Sequence, residues 1–320
     1  LIAAVASASL ERQPVHASWR STEVLGVGTN RHRRNGPHDN TAGILTLHSV
    51  ADGSLAAVLL DFACHPTTYG PENNLYSADW PGATRTALAQ LTTAASASAT
   101  ASAGAASGVP PREPVVGFLQ GAAGDVSPRF TRQGRGAPEV ARLGGLLATR
   151  VAEAIAAPGL DLPSEAPTIR RTTVSLKIRD LPAPTDLEAV VATAEAGLHP
   201  GLDDPTQRIA QTRLDGARGQ SLMAAANLPP TLEHPISVVM LGDVAWDHIP
   251  VELFARHGSY HQADSPHPIT RVIGYTDGYY GYVVDPDAAH QGTYEALITY
   301  FDQPATQSLL TSATNLLARE

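Results

Sequence analysis

The chain has 320 residues, 43% hydrophobic and 17% charged, which is enough apolar side chain to bury a substantial core. Its net charge of −9 argues against a phosphate-binding surface for nucleic acid, and the local cluster of Arg31, Arg33 and Arg34 does not reverse that. The one cysteine, Cys64, excludes an internal disulfide, and no apolar run reaches membrane-spanning length, so a soluble globular protein is expected.

The first residue is Leu1, and no charged segment followed by an apolar stretch and cleavage site marks a signal peptide. Gly43–Val50 and Ser54–Phe62 flank Ala51-Asp52-Gly53, which predicts a β-hairpin. Its second strand runs into Cys64-His65-Pro66. Proline cannot continue a ladder, so His65 is expected at a strand terminus. Ser77–Gly82 predicts a helix start, with Pro81 in the first turn and the helix running to Leu91. Thr92–Gly108 is almost wholly Ala, Ser, Thr and Gly, and 92–110 is read as a flexible surface insertion.

A strand resumes at Val115–Leu119 and leads into a glycine-rich turn, Gly121–Pro128. Val140, Leu143, Leu146, Leu147, Val151 and Ile155 recur at helical spacing over Pro138–Ala156. Thr168–Ile178 alternates as a strand. Asp186–Ala196 and Gln207–Leu228 read as helices, and Ile236–Leu241, Val272–Gly274 and Tyr282–Val284 as short strands. Thr293–Thr299 begins a final helix or strand. Interleaved strands and helices predict an α/β fold, a layered mixed β-sheet with flanking helices in a single large domain over 1–320.

Four segments carry polar residues suited to chemistry. In Phe62–Thr67, His65 suits a metal ligand or general base, or a ring that caps the strand. In Gly121–Pro128 the glycines can present amide groups to an oxyanion, and Ser127 suits a nucleophile or a headgroup-binding hydroxyl. The alternative is a turn in which Asp125 and Ser127 bond their own backbone. Glu252 follows Pro250-Val251 and opens an apparent helix, where a carboxylate suits either the helix dipole or a metal; His248 and His257 lie nearby. Gly274–Tyr282, followed by Tyr294, concentrates the chain's tyrosines, whose phenols can pack at a surface, bind a metal or donate to an oxyanion.

The order Asn30-Arg31, Phe62-Ala63-Cys64-His65-Pro66-Thr67, Gly124-Asp125-Val126-Ser127-Pro128, Pro250-Val251-Glu252 and the Tyr279–Val283 stretch with Tyr294 resembles the neutral/alkaline non-lysosomal ceramidase family, from about Asn30 to Glu295. The resemblance implies an amide hydrolase that cleaves ceramide or a ceramide-like N-acyl lipid with zinc as cofactor. It implies His65, Glu252 and Tyr282 as zinc ligands, Tyr294 as the oxyanion-binding tyrosine twelve residues beyond Tyr282, Arg31 as an active-site arginine, and Ser127 as nucleophile or substrate-binding group. It also favours a secreted protein.

The chain departs from the family pattern in having no His-x-His, the motif that supplies the first zinc histidine and a second histidine as acid/base. Leu1–Arg12 resembles the helix just after that motif, so a missing N-terminal segment or a partner chain is expected to supply it. Ser77–Gly82 differs from true ceramidases, and the family's C-terminal immunoglobulin-like domain is not expected. Asp79 suits an N-cap, a headgroup contact or a carboxylate behind the metal ligands. Two other readings stand beside the zinc hydrolase: a metal-independent hydrolase built on Ser127, and a non-catalytic remnant of the fold.

Overall fold

Strand pairing in the first half follows from where apolar residues meet turn residues, and the hairpin around Asp52-Gly53 forms as expected. The computed structural model describes residues 2–102, 112–201 and 204–318, and their contacts divide the chain into two units. The first comprises Leu1–Gly121, Val126–Pro167 and Leu241–Val244; the second comprises Ala122–Asp125, Thr168–Met240 and Ala245–Glu320.

The first unit opens with α1 (Ile2–Leu10), β1 (Val15–Glu23), the short β2 (Thr29–Asn30), and the hairpin strands β3 (Thr41–Ser49) and β4 (Leu55–Phe62). It continues with α2 (Asp79–Ser102), β5 (Val115–Gln120), β6 (Val126–Ser127), α3 (Ala137–Ile155) and β7 (Leu160–Asp161). Five strands make one mixed sheet in the order β5-β4-β3-β1-β7. β3 lies antiparallel to β1 and β4, whereas β5 lies parallel to β4, because α2 carries the chain back between them. β2 and β6 form a separate antiparallel pair.

Leu143, Leu147 and Val151 on α3 and Leu88 on α2 are wholly buried, as the helical spacing predicts. Trp80, at the start of α2, meets Phe62 and Phe118 edge-on at ring-centroid distances of 6.1 and 5.3 Å. α2 does not stop at Leu91. It continues to Ser102, so the described part of the 92–110 stretch is helical; the rest of that stretch lies outside the described residues. Alanine favours this, and Thr92, Thr93 and Ser96 satisfy their hydroxyls on carbonyls one turn back.

The second unit contains β8 (Thr168–Lys177), α4 (Pro184–Ala196), α5 (Asp204–Ala225), β9 (Thr231–Leu241), β10 (Val244–His248) and β11 (Glu252–Leu253). It ends with α6 (Ala255–Ala263), β12 (Ile269–Ile273), β13 (Tyr282–Val283), α7 (Pro286–Gln291), α8 (Tyr294–Ile298) and α9 (Gln303–Ala318). Four strands form a sheet in the order β12-β10-β9-β8, and β11 pairs in parallel with β13. Leu176, Ile236 and Val238 from the sheet pack with Leu309 and Leu316 from α9. The α/β class with mixed sheets and flanking helices is thus as expected. No helix among the described residues is long and apolar enough to cross a membrane.

Candidate active site

In the first unit three of the expected site residues converge through backbone pairing. β2 and β6 align Asn30 with Val126 and Thr29 with Ser127. The Val126 carbonyl then accepts both the His65 backbone N–H, at 2.9 Å, and His65 Nδ1, at 3.0 Å. A carbonyl can only accept, so Nδ1 carries the proton and the Nε2 lone pair faces away from this bond. Metal-binding imidazoles commonly have this arrangement behind them. Trp80 Nε1 donates to the His65 carbonyl at 3.2 Å, which fixes the backbone beyond β4.

Asn30 Oδ1 accepts the backbone N–H groups of His32 and Arg33, and this turn presents Arg31, whose carbonyl accepts from Arg129 at 3.2 Å. Ser127 is buried and its Oγ accepts the Arg129 N–H at 3.3 Å, capping the 3₁₀ turn Pro128–Phe130. The local-turn alternative for Ser127 is therefore realised. Asp79 stands at φ +50 as the first residue of α2. Its Oδ2 accepts the N–H groups of Thr68 and Tyr69, both at 3.0 Å, and its Oδ1 that of Trp80 at 2.6 Å. Asp79 thereby ties the loop after His65 to the start of the helix.

The second unit holds Glu252, Tyr282 and Tyr294. Glu252 does not open a helix: it lies in β11, directly opposite Tyr282 in β13, and α6 starts only at Ala255. The Gly281 carbonyl accepts the Glu252 N–H at 2.8 Å and the Val283 carbonyl that of Phe254 at 3.1 Å. Pairing with a distant strand overrides the local helix-start signal. α6 has no cap from its own N-cap residue, Phe254. Asp125 supplies one instead, accepting the Ala255 N–H at 2.8 Å, a bond to a helix distant in sequence.

Glu252 is 6% exposed, and both its oxygens are engaged by phenols. Tyr275 donates to Oε2 at 3.1 Å and Tyr279 donates to Oε1. The two tyrosine rings stack with an interplanar angle of 4°. Loss of solvent around the Tyr279 hydroxyl, followed by its bond to Glu252 and the negative charge there, pushes its pKa well up. Tyr282 and Tyr294 reinforce that shift. The Tyr282 ring meets Tyr294 edge-on at 6.3 Å, and Thr299 Oγ1 donates to the Tyr282 carbonyl at 2.6 Å. His257 donates Nε2–H to the Val284 carbonyl at 3.1 Å, and burial lowers the pKa of both His257 and His248.

Tyr275 and Tyr279 were not singled out by sequence reasoning, although the tyrosine-rich segment that contains them was. Among the described residues no group of three or more His, Cys, Asp or Glu side chains forms a metal-binding cluster. Each unit by itself offers donors of a type that a cation can use: an imidazole with Nδ1 tied off in the first, and a buried carboxylate opposite a tyrosine in the second.

No protein-family model and no curated protein matches the chain. Solved structures do, two ceramidases among them. The neutral ceramidase from Pseudomonas aeruginosa has 16% identity and a TM-score of 0.67, and the match covers 99% of this chain and 54% of that one. A ceramidase complexed with C2 has 15% identity and a TM-score of 0.63, over 95% of this chain and 53% of that one. The chain thus spans about half the length of these proteins. At such identity the likeness is one of architecture: this chain has the fold of the neutral ceramidase structures.

Proposed function

We propose that the chain is part of a zinc-dependent hydrolase that cleaves the amide bond of an N-acyl lipid, ceramide or a ceramide-like molecule. The observation that carries this reading is the fold likeness to neutral ceramidase over 99% of the chain. The position of Glu252 opposite Tyr282, with Tyr294 against Tyr282, supports it at the residue level. On this reading His65, Glu252 and Tyr282 are the zinc ligands. Bound zinc supplies Lewis acidity, polarising the carbonyl and bringing the pKa of water towards ~7.

The chain's own groups have definable tasks. In amide hydrolysis water adds to the carbonyl carbon, the C–N bond breaks, and the leaving amine takes a proton, giving a carboxylic acid and an amine. Tyr294 donates a hydrogen bond to the oxyanion as it develops; one such donor is typically worth about 3–4 kcal/mol. Tyr279, held protonated by its raised pKa, keeps donating to Glu252 and fixes the carboxylate's orientation. Ser127 accepts from Arg129 with one lone pair, which leaves its O–H to donate to a polar substrate group, and Arg31 orients that group by charge.

The test is hydrolysis of a fluorescent short-chain N-acylsphingosine by the full-length protein. Activity should vanish in chelator and return with zinc. Undiminished turnover in chelator would instead favour a Ser127-based hydrolase.

A further inference from the structure

α4 and α5 pack against each other only incompletely. They leave a cavity of about 540 Å³. Its wall includes Val190 and Ala194 from α4, Ile209, Ala210 and Arg213 from α5, and Leu297 from α8. α4 buries only Leu187 fully, so most of its side chains stay partly or wholly exposed. α5, by contrast, is pressed onto α8. A Cβ added at Gly216 would come within 2.8 Å of Leu297 Cδ1, so a side chain there would have to displace the leucine.

Val190 and Ile209 are both left 44% exposed. Protein interiors normally fill such space, and pockets of roughly 300–1,000 Å³ with mainly apolar walls are those that take small molecules. Small residues, Ala194 and Ala210, keep the gap open where larger aliphatic ones would fill it. Among the described residues the wall includes no carboxylate, and its one formal charge is the cation Arg213.

We propose that this cavity binds a single long-chain carboxylate, a fatty acid, with the alkyl chain between α4 and α5 and the carboxylate at Arg213. An unbranched chain covers Val190, Ile209 and Leu297 without needing a hydrogen-bond partner inside. The guanidinium matches a carboxylate and repels a long-chain amine. The site does not require the hydrolytic reading; on that reading, the occupant belongs to the class of product that amide cleavage releases.

The experiment is calorimetric titration of the full-length protein with decanoate, dodecanoate and tetradecanoate, and with dodecyltrimethylammonium as the cationic control. Saturable one-to-one binding is expected, tightening roughly threefold to fourfold per added methylene, with the ammonium bound more weakly. Arg213→Gln should narrow the preference for dodecanoate over the ammonium by about two- to fivefold. Ala210→Trp, or the milder Ala194→Phe, should abolish binding of all four ligands while the circular dichroism melt stays cooperative. Binding that is insensitive to chain length, equal for the ammonium, or unaffected by both filling variants overturns the proposal. Glu252→Gln should leave fatty-acid binding intact, so failure of this site and failure of the proposed hydrolytic centre are separately visible.

Discussion

At Glu252 a buried carboxylate is made tolerable by its neighbours. A carboxylate 6% exposed needs each oxygen partnered, and Tyr275 and Tyr279 do this from a loop whose backbone is bent for the purpose. Tyr275 and Asp277 both have φ +60, a conformation that costs a non-glycine residue about 1–2 kcal/mol. Ser237 helps hold the loop by donating to Asp277 at 2.8 Å. Removing one phenol should loosen the carboxylate without unfolding the unit. On the proposed zinc reading, Tyr275→Phe is therefore expected to weaken zinc binding about 10- to 100-fold, measured by competition with a chromogenic chelator, with an unchanged circular dichroism spectrum. The candidate ligands were legible as residue types in a distinctive order. The phenol clamp was not, because nothing local marks Tyr275 and Tyr279 as partners of a glutamate more than twenty residues earlier. Asp79 shows the converse: its place at the start of α2 was legible from the sequence, but its bonds to Thr68 and Tyr69 depend on the fold of the intervening loop.

Elements were legible where periodicity is internal. The β3–β4 hairpin and α3 lie close to where turn residues and apolar spacing put them. β1 carries no comparable alternation and exists because nine consecutive residues pair with β3. β11 is two residues long and depends on β13 for its hydrogen bonds, which is why Glu252 read as a helix start. The Gly121–Pro128 turn is similarly dictated by its neighbours. A Cβ at Gly124 would lie 2.5 Å from the Glu252 carbonyl and 2.8 Å from the Phe254 ring, and the first of these is backbone that cannot rotate away. Gly124→Ala should thus cost about 1–3 kcal/mol in urea unfolding and, on the proposed zinc reading, depress zinc affinity through β11. Gly134→Ala, where an added Cβ meets nothing within 4 Å, is the matched control and should change neither.

Across the whole molecule, acid sensitivity follows from histidines that fold as neutral rings. His234 is fully buried, between Tyr280 and Phe301 at ring distances of 4.1 and 4.9 Å. Burial lowers its pKa, as it does for His248 and His257. The unfolded chain takes up these protons near pH 6.5 while the folded chain resists, so stability is fully present above about pH 6.5 and is lost as pH falls below it. Each such histidine contributes up to about 1.4 kcal/mol per pH unit in that window. The urea midpoint should fall between about pH 7 and pH 5, and His234→Leu should flatten the decline. Retention of the wild-type slope in that variant would assign the effect to other groups.

The architecture matches neutral ceramidase over 99% of this chain, whereas the proposed chemistry rests on three donors drawn from separate stretches of sequence. The most direct test is the zinc content of the purified full-length protein after dialysis against zinc and then buffer, set beside His65→Ala, Glu252→Gln and Tyr282→Phe prepared in the same way. One zinc per wild-type chain and a marked loss in each variant is the predicted result. Wild-type protein without zinc, or variants that retain the full complement, would contradict it.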